Sequence, residues 1–395
     1  MESFQWRLKP LRTAVMQPFS RDAPAGELSA ADPPAAAAGI WRGLDASANR
    51  AAEAIRVLED ALRFGLDDGH LAGVAKSIRH DLALVLARPE LQRRIRCRDV
   101  PGDVGVGITP SRTPPRASLA DLVAANASRG TQALRSLEEG TRLVAAAATP
   151  DFEALRYRLY TLERAAAAAV GSRGQLEQVR LCVLVSAGAP DEAFGNLLDG
   201  LLAAGVGMIQ LRDKTAAIPL LCRRANQAVT ATRRQAEACG GPRCLVIVND
   251  RADIALAAGA DGVHLGAEDL PVPLARRVGG GRLLIGRTAH SLAEARQAVL
   301  DGADYLGVGP CFESATKSFD RFAPEGLLRQ VAAEISLPVF AIGGVTLERL
   351  ERLKSLGLRR VAVAAAVTAA DDPVAAARAF SRCLTMPRQS ADQAG

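Results

Sequence analysis

Apolar residues recur at two different periods along this chain, and the change falls near residue 177. Between about residues 40 and 172 the spacing is helical. The stretch DASANRAAEAIRVLEDALRFGLD opens with an Asp or Ser cap and places Ala54, Ile55, Leu58 and Leu62 on one face. HLAGVAKSIRHDLALVLA follows and is ended by Arg88-Pro89, and SLADLVAANASRGTQALRSLEEGTRLV and DFEALRYRLYTLERAAAAAV supply two more helices. Between them RCRDVPGDVGVGITPSRTPPRAS is a long Gly/Pro loop without periodicity. Residues 1–38 are Ala/Pro/Gly-rich and aperiodic and read as linker or disorder, as do residues 387–395. Gly171 to Gly174 read as a linker.

From residue 177 to 386 short apolar runs alternate with helical stretches. The predicted strands are Leu181–Ser186, Met208–Arg212, Leu245–Asn249, Gly262–Leu265, Leu283–Gly286, Tyr305–Gly309, Pro338–Ile342 and Arg360–Ala365. Eight strand–helix units in this length predict a (β/α)₈ TIM barrel, preceded by a separate all-α helical domain over 39–172. The alternative is a doubly wound open sheet. It needs a phosphate fingerprint after the first strand, and Val185-Ser186-Ala187-Gly188 is not one.

The helical segment contains an internal repeat. Arg50, Glu53, Ala54, Ile55, Arg56, Leu58, Glu59, Asp60 and Arg63 match Arg129, Gln132, Ala133, Leu134, Arg135, Leu137, Glu138, Glu139 and Arg142 at a constant offset of 79 residues. Arg and Glu three apart share a helix face. A duplicated helix pair can bring two such faces together in a charged pocket; ordinary surface ion pairs are the plainer alternative.

Composition narrows the chemistry. Hydrophobic residues make up 49% and charged residues 23%, a globular profile. Aromatics at 4% argue against a stacking platform for single-stranded nucleic acid, and a net charge of +6 fits an anionic substrate better than a nucleic acid. The seven Cys have no metal-finger spacing and read as reduced thiols of a cytoplasmic protein, and four His leave little room for a His-rich metal site. No apolar run has membrane-spanning length, so neither membrane nor nucleic acid is an expected partner.

Active sites of such barrels lie at the C-terminal strand ends. The third and fourth strands end at Asn249-Asp250 and just before Glu268-Asp269, which puts two carboxylates side by side. Mg²⁺ takes one or two protein carboxylates with phosphate oxygens and water, and it answers that repulsion; a helix cap and a solvated Asp are the plainer alternative. After the second strand, period-2 alternation points Gln210, Arg212 and Lys214 the same way, which suits a polyphosphate. Gly343-Gly344 after strand seven and small residues after strand eight let backbone N–H groups reach a second phosphate. An enzyme handling a diphosphate and a separate monophosphate needs both.

QLRDK, IVNDRADIAL, GVHLGAED, GRTAHS, GADYLGVGP with its following S-A-T-K, and AIGGV occur in this order and together resemble thiamine phosphate synthase. The resemblance implies a Mg²⁺-dependent transferase that joins 4-amino-5-hydroxymethyl-2-methylpyrimidine diphosphate to a thiazole phosphate, carboxylated or not, releasing diphosphate. It implies that Gln210, Leu211, Arg212, Asp213, Lys214, Asn249 and Lys317 hold the pyrimidine diphosphate. Asp250 and Asp269 then hold the metal, and Thr288 faces the pyrimidine. Ser314, Ala315, Thr316, Gly343, Gly344 and the amides of Ala364 and Ala365 hold the thiazole phosphate. Arg212, Lys214, Lys317 and Thr288 carry the catalytic roles, and small molecules are the partners; a homo-oligomer stays open.

The sequence departs from the family at Ala267, where Gln is usual, at Ala365, Ser314 and Ser186. A sister family, the thiazole tautomerases, keeps the cup and a His at the position of His290, which there moves a proton without metal or diphosphate. A non-catalytic phosphate-binding barrel is the third alternative. The helical segment resembles an N-terminal extension of some synthases, for which pyrimidine phosphorylation has been proposed. It has no P-loop or Gly-rich nucleotide signature, and dimerisation or interaction is an equal alternative.

Overall fold

The computed structural model describes residues 34–104, 115–313 and 322–385. The N-terminal part is all helix: α1 (Pro34–Asp60), α2 (Gly69–Leu86), a short α3 (Arg93–Arg96), α4 (Leu119–Val144) and α5 (Thr149–Leu176). Its caps are legible in the chain. Asp68 accepts a hydrogen bond from Leu71 N at 2.7 Å to start α2, and Ser118 accepts from Asp121 N at 3.1 Å to start α4. Trp41, Leu44, Ala48, Ala51, Ile55, Leu58 and Leu62 form one buried stripe along α1 and its end. Each fully buried Leu or Ile of such a stripe contributes about 1.5–3 kcal/mol.

Two expectations about this part are corrected. Residues 34–38, expected in a linker, already belong to α1. Gly171 to Gly174, expected as the linker to the barrel, lie inside α5, which runs on to Leu176. The helix continues because its far end is held by tertiary packing, which overrides the weak helix propensity of glycine. Leu176 is fully buried and packs with Val179 and the barrel-interior residues Cys182, Leu184 and Met208.

The strands are β1 (Leu181–Val185), β2 (Met208–Leu211), β3 (Leu245–Asn249), β4 (Gly262–Leu265), β5 (Leu284–Ala289), β6 (Tyr305–Val308), β7 (Val339–Ile342) and β8 (Val361–Val363). They pair in parallel, in sequence order, and β8 closes on β1. The crossover helices are α6 (Asp191–Ala203), α7 (Ile218–Cys239), α8 (Ala252–Ala258), α9 (Val272–Gly279), α10 (Leu292–Leu300), α11 (Glu325–Glu334) and α12 (Leu350–Ser355). After β8 come α13 (Ala365–Thr368) and α14 (Pro373–Thr385). The open-sheet alternative is thereby excluded.

Alternation divides the strand residues between two cores. Val183, Ile209, Val246, Val248, Val263, Ile285 and Leu306 face outward and join the core that continues through the helices into α1–α5. Cys182, Leu184, Met208, Ile247, Leu284, Tyr305 and Phe340 fill the barrel interior. β5 extends three residues beyond its predicted end, so Arg287 and Thr288 sit in the strand rather than in the loop after it.

The helical part is fastened to the barrel. Asp68 Oδ2, on the residue that caps α2, accepts from Ser336 N at 2.9 Å and Ser336 Oγ at 2.7 Å. Arg164 donates to Leu300 O at 2.7 Å. No helix among the described residues is long and apolar enough to cross a membrane.

Candidate active site

A cavity of about 590 Å³ opens at the C-terminal ends of the strands. On its β2–β4 side it is lined by Gln210, Arg212, Lys214, Asn249, Asp250 and Asp269. Gln210 is buried, and Arg212 N donates to Val185 O at 2.9 Å, which carries the parallel ladder one residue past β2. Asp250 turns the chain out of β3 with φ at +62°, a left-handed conformation that Asp tolerates better than bulkier residues. Its amide donates to His264 O at 2.8 Å, and Lys214 Nζ is 3.8 Å from its Oδ2. Asp269 Oδ2 accepts from Gly266 N at 2.7 Å. Arg287 donates to Gly266 O at 2.5 Å and Ala267 O at 3.3 Å, so β5 holds the loop that carries Asp269.

The two carboxyl groups are within hydrogen-bonding reach of one another. Burial, then the hydrogen bond and charge of Asp269, push the Asp250 carboxyl up to about 6. Burial works against the ionised form of Asp269 as well, but the Asp250 proton and the Gly266 amide hold it below the ordinary range. Two carboxyl groups this close, with the ionisation of one opposed by the other, form a site short of positive charge. That fits a hard divalent cation bound by one or two carboxylates and completed by substrate oxygens. Among the described residues no three His, Cys, Asp or Glu side chains cluster as a self-sufficient metal cage.

The floor of the cavity is made by β4–β6. Thr288 Oγ1 lies 2.9 Å from His264 Nε2, and His264 Nδ1 lies 3.3 Å from Tyr305 Oη. Burial first, and then the charge of Arg212, push His264 down to about 4, so it is neutral. His290 also lines the cavity, and its Nδ1 lies 2.7 Å from Gly309 O. That carbonyl can only accept, so Nδ1–H donates to it.

On the opposite side are Gly343, Gly344, Ala364 and Ala365. Gly343 and Gly344 have φ of +91° and +62°. A Cβ on Gly344 would fall 2.2 Å from Glu313 O and 2.6 Å from Phe312 O, so only glycine lets β7 turn this closely under the β6 loop. Arg349 donates to Gly344 O at 2.5 Å and Glu313 O at 3.0 Å and ties the two loops together. Ala364 precedes the first turn of α13, whose leading N–H groups have no intrahelical acceptor.

Two expected site residues do not reach the cavity with their side chains. Leu211 is buried among the outward residues between sheet and helices, because it alternates with Gln210 and Arg212. Asp213 accepts from Ser186 Oγ at 2.7 Å, from Thr215 N and Oγ1 at 3.0 and 2.9 Å and from Ala216 N at 2.9 Å. Those bonds, Ser186 first, hold it down at about 2, and they order the loop that carries Lys214. Ser186 is thus a donor to the β2 loop. Ser314, Ala315, Thr316 and Lys317 lie outside the described residues.

Sequence reasoning gave no role to His264, Arg287, Glu313 and Arg349. His264 had a signal: it is the one titratable residue in the apolar strand β4, and alternation from Gly262 points it inward. Arg349 had none, since only the tertiary turn brings it under Gly344.

In the helical part, Glu59 and Glu138 of the repeat are buried, and Arg56 and Arg135 are each 51% exposed. Arg79 pairs with Glu59 at 2.7 Å, and Arg142 and Arg156 each pair with Glu138 at 2.9 Å, while Arg135 also contacts it. Arg50, Glu139 and Arg142 line a separate cleft of about 1140 Å³ with Asp45 and Arg98, which are paired to each other at 2.6 Å.

Comparison with known proteins adds to this geometry. Residues 181–367 match the family described as thiamine monophosphate synthase, and residues 42–165 match the ThiD2 family. The thiamine-phosphate synthase of Rhodopirellula baltica is 39% identical over 342 residues, 84% of this chain and 89% of its own. That of Gloeobacter violaceus is 41% identical over 340 residues, 85% of this chain and 94% of its own. The solved structure of thiamine phosphate pyrophosphorylase from Pyrococcus furiosus is 30% identical and covers 53% of this chain and 98% of its own, with a TM-score of 0.45.

Proposed function

The chain belongs to the thiamine-phosphate synthase family, a transferase family of thiamine biosynthesis, and from that premise we propose how its cavity divides the work. The β2–β4 side takes the pyrimidine diphosphate and the β7–β8 side takes the thiazole phosphate. The observation that carries this is the presence, in one cavity, of two carboxyl groups within hydrogen-bonding reach of each other beside Arg212 and Lys214, opposite a glycine-built cup of backbone amides.

Asp250 and Asp269 would hold Mg²⁺, which when bound supplies positive charge to the diphosphate. Arg212 and Lys214 line the same side and offset charge that grows on the departing diphosphate. Gln210 and Asn249 supply amide groups at the inner end of the same wall. Thr288 faces the pyrimidine from β5. The attacking atom is a neutral ring nitrogen of the thiazole, so no base has to activate it. The aminopyrimidine ring can stabilise positive charge at its exocyclic carbon as the bond to diphosphate breaks. The protein's contribution is then to hold both rings at reacting distance and to neutralise the leaving group.

Small molecules are the partners in this reading, and the cytoplasm the compartment, in keeping with seven free cysteines. Incubating the full chain with both substrates and Mg²⁺ tests it. Thiamine phosphate and diphosphate should form together, and formation of neither would overturn the assignment.

A further inference from the structure

His264 and Tyr305 meet inside the barrel over a gap left for them. In the strand register Gly286 lies opposite His264 on one side and Tyr305 on the other. A Cβ on Gly286 would fall 2.1 Å from the Tyr305 ring and 2.5 Å from His264 Nδ1. Gly307, opposite Thr288, would put a Cβ 3.0 Å from His264 Cε1. Two neighbouring positions are thus bare where the two rings need the room.

The result is a chain of three polar groups running from the buried core to the cavity: Tyr305 Oη, the His264 imidazole and Thr288 Oγ1. A neutral imidazole allows two proton arrangements. In the first, Tyr305 O–H donates to Nδ1, Nε2–H donates to Thr288 Oγ1, and both buried hydrogens of the pair have an acceptor. In the second, Nδ1–H donates to Tyr305 Oη and Thr288 O–H donates to Nε2. The Tyr305 proton then has nowhere to go, because Tyr305 is 3% exposed and its Oη has no other hydrogen-bond partner among the described residues. A buried donor left without an acceptor is among the costlier defects in a core, whereas a spare acceptor lone pair is not.

We infer that His264 is a positioning residue: Tyr305 fixes it with its proton on Nε2, it donates to Thr288, and the Thr288 hydroxyl proton is left to be given to a hydrogen-bond acceptor on the bound substrate. The substrate group that takes this proton is therefore a lone-pair atom, a ring nitrogen or a phosphate oxygen. This rests on the proposal that Thr288 faces the pyrimidine diphosphate. The proton arrangement itself does not, since it is a property of the free protein.

The test has two arms. The full chain, labelled with ¹⁵N in its four histidines, is examined by long-range ¹H–¹⁵N spectroscopy at neutral pH without substrate. His264 is identified by elimination, using Gln variants of His70, His80 and His290. Its Nδ1 should resonate as an unprotonated nitrogen and its Nε2 as a protonated one. A protonated Nδ1 would overturn the inference whatever the protein's reaction. The second arm compares His264→Gln, which keeps an amide donor in the direction of Nε2, with His264→Leu, which does not. His264→Leu should lower kcat about tenfold. His264→Gln should restore most of it, and in a Thr288→Val background the two should be equal. Equal activities in the presence of Thr288 would show that the donor to Thr288 does not matter and would end the positioning role.

Discussion

Lys214 Nζ lies 3.8 Å from Asp250 Oδ2, across the gap between the loops that follow β2 and β3. Among the described residues it is the cation in salt-bridge contact with the carboxylates of the site, and its side chain is 62% exposed. An ammonium so well solvated contributes little to holding two carboxylates together. The site therefore calls for a second positive charge. Asp250→Ala and Asp269→Ala should each lower the coupling rate by about a hundredfold or more. Excess chelator should do the same to the unaltered protein, as read by thiamine phosphate formation. Full activity in chelator would exclude the metal role given to the pair.

The same pair predicts a stability effect of defined sign. Folded Asp250 keeps its proton up to about pH 6, whereas an unfolded Asp loses it near pH ~4. Between those values the native state binds more protons than the unfolded one, so metal-free stability falls as pH rises through that window. Asp250→Asn removes this term. In chelator it should raise Tm by about one or two degrees at pH 7.5 and leave it unchanged at pH 4. Thermal denaturation at the two pH values decides; a gain confined to pH 4 would mean the sign is wrong.

His290 tests the synthase reading against the tautomerase one, because the two readings give it different roles. It lines the cavity, yet the proposed coupling needs no base at the nucleophile. His290→Ala should leave the coupling rate within about tenfold of the unaltered enzyme. A loss of about a thousandfold in steady-state assays would make proton transfer central and point to the tautomerase chemistry.

Gly344→Val tests the division of the two anions. At φ of +62°, with Glu313 O and Phe312 O in the way, a side chain there pushes the β6 loop off the cup. The Michaelis constant for the thiazole phosphate should rise by about tenfold or more, and that for the pyrimidine diphosphate should change little. Kinetics with each substrate varied in turn would expose a reversed assignment.

The charged repeat gives contrasting expectations for its two kinds of residue. Glu138 is fully buried against Arg142 and Arg156, so Glu138→Ala strands buried charge and should cost about 3 kcal/mol or more. Arg135→Ala and Arg56→Ala remove half-exposed partners and should leave Tm within a few degrees. A function lost at unchanged Tm would mark the arginine faces as a site.

What could be seen in the chain depended on how local its cause was. All eight strands were legible because each is a short apolar run ended by polar or glycine residues. Asp250 and Asp269 could be brought together from the parallel crossover alone, and Gln210, Arg212 and Lys214 from alternation. Leu211 and Asp213 entered with their neighbours through a motif, although the same alternation turns them away. The end of β5 was placed too early because Arg287-Thr288 is polar, and it is the ladder with β6 that extends it. The role of Gly171–Gly174 was misjudged because what holds that helix, the packing of Leu176 under the barrel, lies outside the window in which helix signals are read.

Asp68 shows what this arrangement asks of a chain made from its N-terminus onward. One carboxylate oxygen is used at once, on an amide three residues away, while the other waits for Ser336, 268 residues later. Leu176 likewise leaves the ribosome before every barrel strand that will cover it. The helices can therefore assemble early, but they emerge with an apolar end and half a carboxylate unspent, and the barrel closes onto a surface already in place. Synthesis that stops short of β7 leaves that surface open to water.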